Sequence, residues 1–446
     1  MPQRIVLIGA GSASFTRGLL ADIISCGDLD VDEIGLVDID PDALGFAEKL
    51  ARRMLAGRRD DLRILASTDR RDLLPGAGAI VTTIAAGGRK GWLDDIAIPR
   101  KHGCFQPVGD SVGPGGWSRA LRHVPIIEEI AKDVEDLCPE AWFFNYSNPM
   151  SCNTRAMYTV RQRKCAGLCH GTFGSHGMLC SLLGVPVAET EIVAAGLNHL
   201  TWIHHLTWKG QDLLAKLREK TPQPGADEAG LSPSAQHLSS SQPFSFALLE
   251  LYGAFPVPGD RHVTEFYPQL FPGGQYEGGI LGVDRFSMEA TIEAGEEGYN
   301  QMRDLAVGDA PIPEEWFHRA PGEHEQLVAM LVAIQNDAGD VYFANTPNNG
   351  IIPDLPDEAI LELPTRFHRD GCQAELSKPL PRGVLPVIAH RSLQQDLNTT
   401  AALRGDRGLA LQALLDDGWV TSLESARAMM DELLAAQRAY LPRFWP

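Results

Sequence analysis

An α/β fold built on a doubly wound parallel sheet is predicted for this chain by three observations. A short apolar run, Arg4-Ile-Val-Leu-Ile8, enters a glycine-rich turn, Gly9-Ala-Gly11-Ser12-Ala13-Ser14, and a helical stretch over residues 17–26 follows. A second apolar run over 33–38 ends in the carboxylate of Asp38. Further apolar runs at 79–84 and 141–145 enclose a helix over 125–137, where Ile126, Ile127, Ile130 and Val134 recur at helical spacing.

The first strand, turn, helix and strand make a dinucleotide-binding, Rossmann-like unit. Gly9 and Gly11 let the backbone approach a pyrophosphate at a helix N-terminus, with Ser12, Ser14 and Phe15 beside them. The third glycine of the usual pattern is replaced by Ser14. Asp38 falls where a carboxylate accepts from the adenosine ribose, and an acid there favours NAD over NADP. The competing reading is a sterically required turn in an unrelated α/β domain.

The remaining elements follow in order. Residues 85–88, Ala-Ala-Gly-Gly, leave their strand directly and are expected along the cofactor. Residues 164–168 bring Cys169 to another strand end, where Asp110 and Asn148 are expected to join it, because ligands of open α/β sheets gather at the carboxyl ends of strands. Beyond about residue 195 the pattern changes. Residues 220–242 are rich in Pro, Ser, Gly and Gln and read as a surface excursion or lid. Helical periodicity returns at 245–252, 288–301 and 323–335, and residues 401–440 read as two or three helices.

Composition bounds the function. At 446 residues the chain exceeds one usual domain, so two packed domains are expected, 1–195 and 196–446. A net charge of −19 argues against nucleic-acid and anionic-membrane partners, while leaving room for an anionic small substrate in a local basic pocket. No secretion signal or membrane-length apolar run is seen, so a cytoplasmic location is expected. The eight cysteines read as reduced thiols, mostly core, with Cys169 the exception.

Cys169 and His199, thirty residues apart, could hold a divalent metal beside a nicotinamide. Taken singly, such residues are more often core than ligands. Two protein ligands are too few for a closed structural zinc site, so the site is open and catalytic, and Mn²⁺ suits it if substrate oxygens and water complete it. Asp110, in Val108-Gly-Asp-Ser-Val-Gly-Pro-Gly-Gly116, is a candidate general acid or else part of a helix-capping loop. Asn148, in Asn145-Tyr-Ser-Asn-Pro-Met150, either marks a turn or grips a sugar hydroxyl. In Gly259-Asp-Arg-His-Val-Thr-Glu-Phe-Tyr267, Asp260 is the candidate base and Tyr267 a lesser one, while Arg261 and Glu265 could be a simple helix pair.

These stretches, with Cys169-His-Gly171, Asn198-His-Leu-Thr-Trp202 and Asn345-Thr-Pro-Asn-Asn-Gly350, resemble glycoside hydrolase family 4, the NAD- and manganese-dependent glycosidases, in the family's order over most of the chain. That family departs from the two-carboxylate scheme of glycoside hydrolysis. The resemblance implies an α-glycosidase that oxidises C3, removes the C2 proton, expels the C1 oxygen, adds water and reduces C3 again, consuming no NAD. It implies Cys169 and His199 as metal ligands, Asn148 on substrate, Asp110 as acid and Asp260 as base. It further implies a C-terminal α/β domain of the lactate/malate dehydrogenase type and a homodimer or homotetramer. Cys169-His170-Gly171-Thr172 and the Gly259–Phe266 stretch look most like the α-galacturonidase/α-glucuronidase branch, with α-galactosidases and α-glucosidases next. A uronate carboxylate needs a cation, for which Arg261, Arg285 or His262 are candidates, with His170 also at the substrate. A 2-hydroxy-acid dehydrogenase is the alternative outside the family.

Overall fold

In the computed structural model, which describes residues 4–220, 242–318 and 326–445, the first half builds the expected parallel sheet. Its strands are β1 (Arg4–Ile8), β2 (Glu33–Val37), β3 (Arg63–Ser67), β4 (Ala79–Thr82), β5 (Trp142–Asn145) and β6 (Cys165–Gly167). They lie in the order β3-β2-β1-β4-β5-β6, all parallel, which is the usual order of dinucleotide-binding sheets. Helices cover both faces, so β1 is buried through Ile5, Val6 and Leu7 rather than alternating. Val6, Ile80 and Phe143 join one core cluster, and Ile5, Leu7, Val81 and Phe144 join the other.

Helices α1 (Ala13–Ser25), α2 (Pro41–Leu55), α3 (Gly88–Lys101), α4 (Gly113–Leu137), α5 (Met150–Val160) and α6 (Gly171–Leu183) connect these strands. The expected helix at 125–137 is the C-terminal half of α4, which begins twelve residues earlier and carries Pro125 inside it. The Gly-Pro-Gly-Gly run that reads as a loop is therefore the first turn of a helix. Its glycines are there for packing: a Cβ on Gly115 would lie 2.8 Å from Gly109 Cα, and one on Gly116 would lie 2.5 Å from the Ser111 carbonyl carbon. The Asp110 loop rests directly on this turn.

The sheet does not stop at β6. Antiparallel strands extend it: β7 (Thr190–Leu197), β8 (Leu200–Trp208), β9 (Gln211–Asp212), β10 (Phe255–Val257), β13 (Val341–Pro347), β14 (Ile360–His368) and β15 (Gly371–Ala374), while β11 (Gln275–Tyr276) and β12 (Gly279–Ile280) pair separately. The path beyond β6 runs β13-β14-β7-β8-β10, giving thirteen strands in one sheet among the described residues. Residue 195 lies within β7, so the two expected domains share a sheet. These strands are absent from the sequence reading of the second half, because several are short and their polar positions carry site chemistry.

Helices α7 (Leu213–Lys220), α8 (Pro243–Tyr252), α9 (Asp260–Val263), α10 (Met288–Val307) and α11 (Leu327–Asn336) follow, then α12 (Leu385–Arg404), α13 (Arg407–Asp416) and α14 (Leu423–Ala436). The C-terminal helices thus number three and begin before the expected 401. The lid expected at 220–242 falls almost wholly outside the described residues, as does the start of the helix expected at 323. No described helix is long and apolar enough to cross a membrane.

Candidate active site

The nucleotide turn closes where β1 splits from β4. Gly9, at φ +93°, donates its N–H to Val37 O at 2.8 Å, and a Cβ there would lie 2.8 Å from the Thr83 carbonyl. Only glycine fits that left-handed, crowded position. Gly11 N donates to Asp38 Oδ2 at 2.8 Å, and Asp40 N donates to Asp38 Oδ1 at 3.0 Å. Asp38 is thus held at the end of β2 by the turn itself. Ser12 occupies the N-cap position of α1, Ser14 lies in its first turn, and the half-buried Phe15 ring packs against Tyr146 at 5.6 Å. Ile39, directly after Asp38, is 90% exposed.

Asp110, His199 and His262 meet with their ligand atoms within 4.8 Å of one another. Asp110 Oδ1 accepts from Ser111 Oγ at 2.7 Å and lies 3.4 Å from His199 Nδ1, and Oδ2 accepts from Asn148 Nδ2 at 2.9 Å. Ser111 Oγ is also 2.8 Å from His199 Nδ1. The His199 and His262 rings are 4.1 Å apart. His199 sits in the two-residue turn between β7 and β8 at φ +66°, an uncommon conformation for a side-chain-bearing residue and one concentrated at functional positions. Cys169, half-buried between β6 and α6, stands outside that three-residue group but close enough for its thiol to help His199 keep a proton, and it accepts from Gly171 N at 3.4 Å.

Electrostatics sort the protons. Burial resists ionisation of Asp110, but the His199 ring, then His262 and Arg119, hold its carboxyl below the usual range. Burial likewise opposes a charge on His199, and pairing with Asp110 overrides it, so His199 holds its proton well above the ordinary value. His262 is pushed the other way, by burial and by the His199 charge, and stays neutral. Among the described residues, its Nδ1 and the Asn148 Oδ1 are buried with no hydrogen-bond partner. Unmatched buried acceptors beside a carboxylate, two imidazoles and a thiol fit a divalent metal and a hydroxylated ligand.

Two buried acids build the frame. Glu362, on β14, accepts from Thr172 Oγ1 at the start of α6, from Asn198 Nδ2 at 3.0 Å and from Asn345 Nδ2 at 3.3 Å. It ties together the segments that carry Cys169 and His199. Glu265 accepts from Val108 N at 2.9 Å and Gly109 N at 2.7 Å, fixing the Asp110 loop. It makes no helix pair with Arg261, whose Nη2 instead donates to Thr291 Oγ1 at 2.7 Å. Neither frame role has a signal in the local sequence, since every partner is distant.

Other expected residues lie differently. Asp260 accepts from Phe244 N at 2.9 Å, Ser245 N at 2.7 Å and the Tyr276 hydroxyl, so its carboxylate caps α8 and both oxygens are engaged. Burial raises its pKa. The Tyr267 ring packs edge-on against Phe244, within an apolar cluster. Arg285 is exposed and donates to Glu277 O at 2.7 Å. His170 caps α6. His262, expected from the sequence as a cation for a carboxylate, is a central member of the cluster.

Residues 4–185 match the model of the family 4 glycosyl hydrolases, and residues 194–420 match that of the family's C-terminal domain. The chain belongs to family 4 of the glycosyl hydrolases. An α-galacturonidase of Bacillus subtilis is 33% identical over 93% of this chain and 92% of its own length. An α-galacturonidase of Thermoanaerobacterium saccharolyticum is 30% identical over 98% and 96%. An α-galactosidase of Rhizobium meliloti is 29% identical over 99% and 89%. Among solved structures, lplD of Bacillus subtilis superposes with a TM-score of 0.80 at 30% identity, over 97% of this chain and 99% of that one. A 6-phospho-β-glucosidase of Thermotoga maritima, solved with manganese, NAD⁺ and glucose-6-phosphate, shares the fold at a TM-score of 0.81 and 22% identity, over 98% of both chains. The family 4 assignment makes the enzyme a glycosidase.

Proposed function

We propose that this family 4 enzyme hydrolyses unphosphorylated α-uronides, α-galacturonides foremost, with NAD⁺ and Mn²⁺, as a cytoplasmic homo-oligomer. The observation that carries this reading is the Asp110–His199–His262 cluster, its first two members buried and Cys169 close by, in a sheet that also holds a nucleotide turn. An acidic chain of net charge −19 nevertheless gathers Arg119, His170, Arg261 and two imidazoles around that cluster, which suits an anionic sugar. The α-galacturonidases among its relatives support the same substrate class.

Gly9, Gly11, Ser12, Ser14 and Phe15 line the nucleotide, Asp38 takes its ribose, and the exposed Ile39 offers an apolar face to the adenine. Cys169 and His199 hold the metal, with Asp110 and His262 alongside. When bound, NAD⁺ and the metal supply reversible oxidation at C3 and polarisation of the neighbouring sugar oxygens. Asn148 grips a sugar hydroxyl through its free Oδ1. A His199 ring holding the metal would have to be neutral, which would remove the charge that keeps the neighbouring Asp110 carboxyl, 3.4 Å from Nδ1, ionised. Asp110 would then be the acid that supplies the proton to the departing C1 oxygen. Asp260 is the base for the C2 proton, exchanging its Tyr276 hydrogen bond for substrate. It ranks above Tyr267, whose ring lies in an apolar cluster.

The test is a panel of p-nitrophenyl α-glycosides and oligogalacturonides, assayed with NAD⁺ and Mn²⁺. The expected result is preferential uronide hydrolysis that needs NAD⁺ only in catalytic amount. Stoichiometric NADH would instead indicate a dehydrogenase, and a preference for α-galactosides would move the chain to the neighbouring branch.

A further inference from the structure

Arg119, in the second turn of α4, is fixed from two sides at the edge of the active site. Its Nε donates to Asn148 O at 3.2 Å, and its guanidinium carbon lies 5.4 Å from the centroid of the Trp92 ring. Trp92 is itself locked, donating Nε1–H to Val108 O at 2.7 Å. Both contacts lead back to Asp110: Asn148 donates its amide to the Asp110 carboxylate, and Val108 begins the Asp110 loop.

What sets Arg119 apart is what it lacks. Arg122, one turn further along α4, spends its guanidinium on Asp95 and Ala86 O. Arg391 spends its own on Asp417 and Phe266 O. Among the described residues, Arg119 Nη1 and Nη2 have no hydrogen-bond acceptor. A partly buried guanidinium with an open edge is matched to a planar anion, which a carboxylate fits bidentately. The rival cations are worse placed. Arg285 is exposed and tied to Glu277 O, and Arg261 gives Nη2 to Thr291.

We propose that Arg119 is the specificity residue that receives the carboxylate of a uronide substrate on its free Nη edge, with Trp92 holding the guanidinium plane. This rests on the uronide reading above. The alternative role, electrostatic support of Asp110, would act on every substrate alike.

The experiment measures kcat/KM for an α-galacturonide and the matching α-galactoside, with NAD⁺ and Mn²⁺, in the wild type, Arg119→Met, Arg119→Lys and Arg261→Met. NAD⁺ binding and thermal melting check that each variant is folded. The expected result is that Arg119→Met lowers the ratio of galacturonide to galactoside kcat/KM by about 10²-fold or more, the loss of a bidentate charge-assisted contact. Arg119→Lys should lower the ratio by less, since it keeps the charge and loses the fork. Arg261→Met should lower the ratio by less than Arg119→Met does, since its Nη2 is already given to Thr291. Equal losses on both substrates would overturn the proposal and assign Arg119 to Asp110. A ratio that falls further in Arg261→Met than in Arg119→Met would move the carboxylate to Arg261. If Arg119→Met does not fold, the ratio in Arg119→Lys decides. A wild type that ignores galacturonides would overturn the uronide reading itself, and this inference with it.

Discussion

Removing Glu362 should damage both the fold and the metal site, although Glu362 is not itself a member of the metal cluster. Its carboxylate is 2% exposed and accepts from Thr172, Asn198 and Asn345. In Glu362→Ala the Thr172 and Asn198 donors lose their acceptor inside the core, while Asn345 Nδ2 keeps Gly167 O at 3.4 Å. An unsatisfied buried donor costs about 1–3 kcal/mol, so the two together cost about 2–6 kcal/mol. Unfolding entropy is about 2.1 cal/mol/K per residue, or about 0.9 kcal/mol/K for a chain of this length, so the melting temperature should fall by about 2–6 °C. Glu362→Gln should cost far less. Its Oε1 can serve both amides, and the Thr172 hydroxyl can turn to accept from Nε2. Because Thr172 and Asn198 sit beside Cys169 and His199, Glu362→Ala should also weaken Mn²⁺ activation by about 10–100-fold. Differential scanning fluorimetry and Mn²⁺ titration of activity are the assays. A Glu362→Ala enzyme that melts within about 1 °C of wild type and keeps its Mn²⁺ dependence would refute the argument, since that cost follows directly from orphaned donors.

Three further outcomes are expected. Cys169→Ser and His199→Ala should each abolish Mn²⁺-dependent activity while NAD⁺ binding, followed by fluorescence, persists; full activity in either would dismiss them as ligands. Asp260→Asn should lose about 10²–10⁴-fold in rate and stop solvent deuterium entering at C2, whereas a residue that only caps α8 would lose about 0.5–2 kcal/mol of stability and little activity. Burial, and then the Asp110 charge, push Glu265 up to about 8. A folded pKa above the unfolded value of about 4.3 means its stabilisation is complete in acid and fades as pH rises through about 8, by at most about 1.4 kcal/mol per pH unit. Relative to Glu265→Gln, the apo enzyme should therefore melt progressively lower between pH 5 and 8, and parallel melting profiles would dismiss the shift.

The sequence by itself determined most of the nucleotide half, but not the edge strand β3 (Arg63–Ser67), whose half-exposed residues make no apolar run. Strand, glycine turn, helix and terminal acid are local signals, and each strand buried on both faces is written as an unbroken apolar run. Gly9 is legible because a left-handed backbone under the Thr83 carbonyl tolerates nothing larger. Asp110, Asn148, Cys169 and His199 were legible as types at strand ends and turns, and the structure brings them to one place. The antiparallel strands of the second half were not legible, since short strands paired across long sequence separations leave little periodicity. Only tertiary structure decided that Glu265 holds the Asp110 loop, that Glu362 joins the α6 and β7–β8 segments, that His262 belongs to the cluster, and that Arg119 keeps an open edge. The physical reason is common to all four. The environment of a buried polar group is set by which distant donors and acceptors fold against it, and nothing in its own neighbourhood along the chain records them.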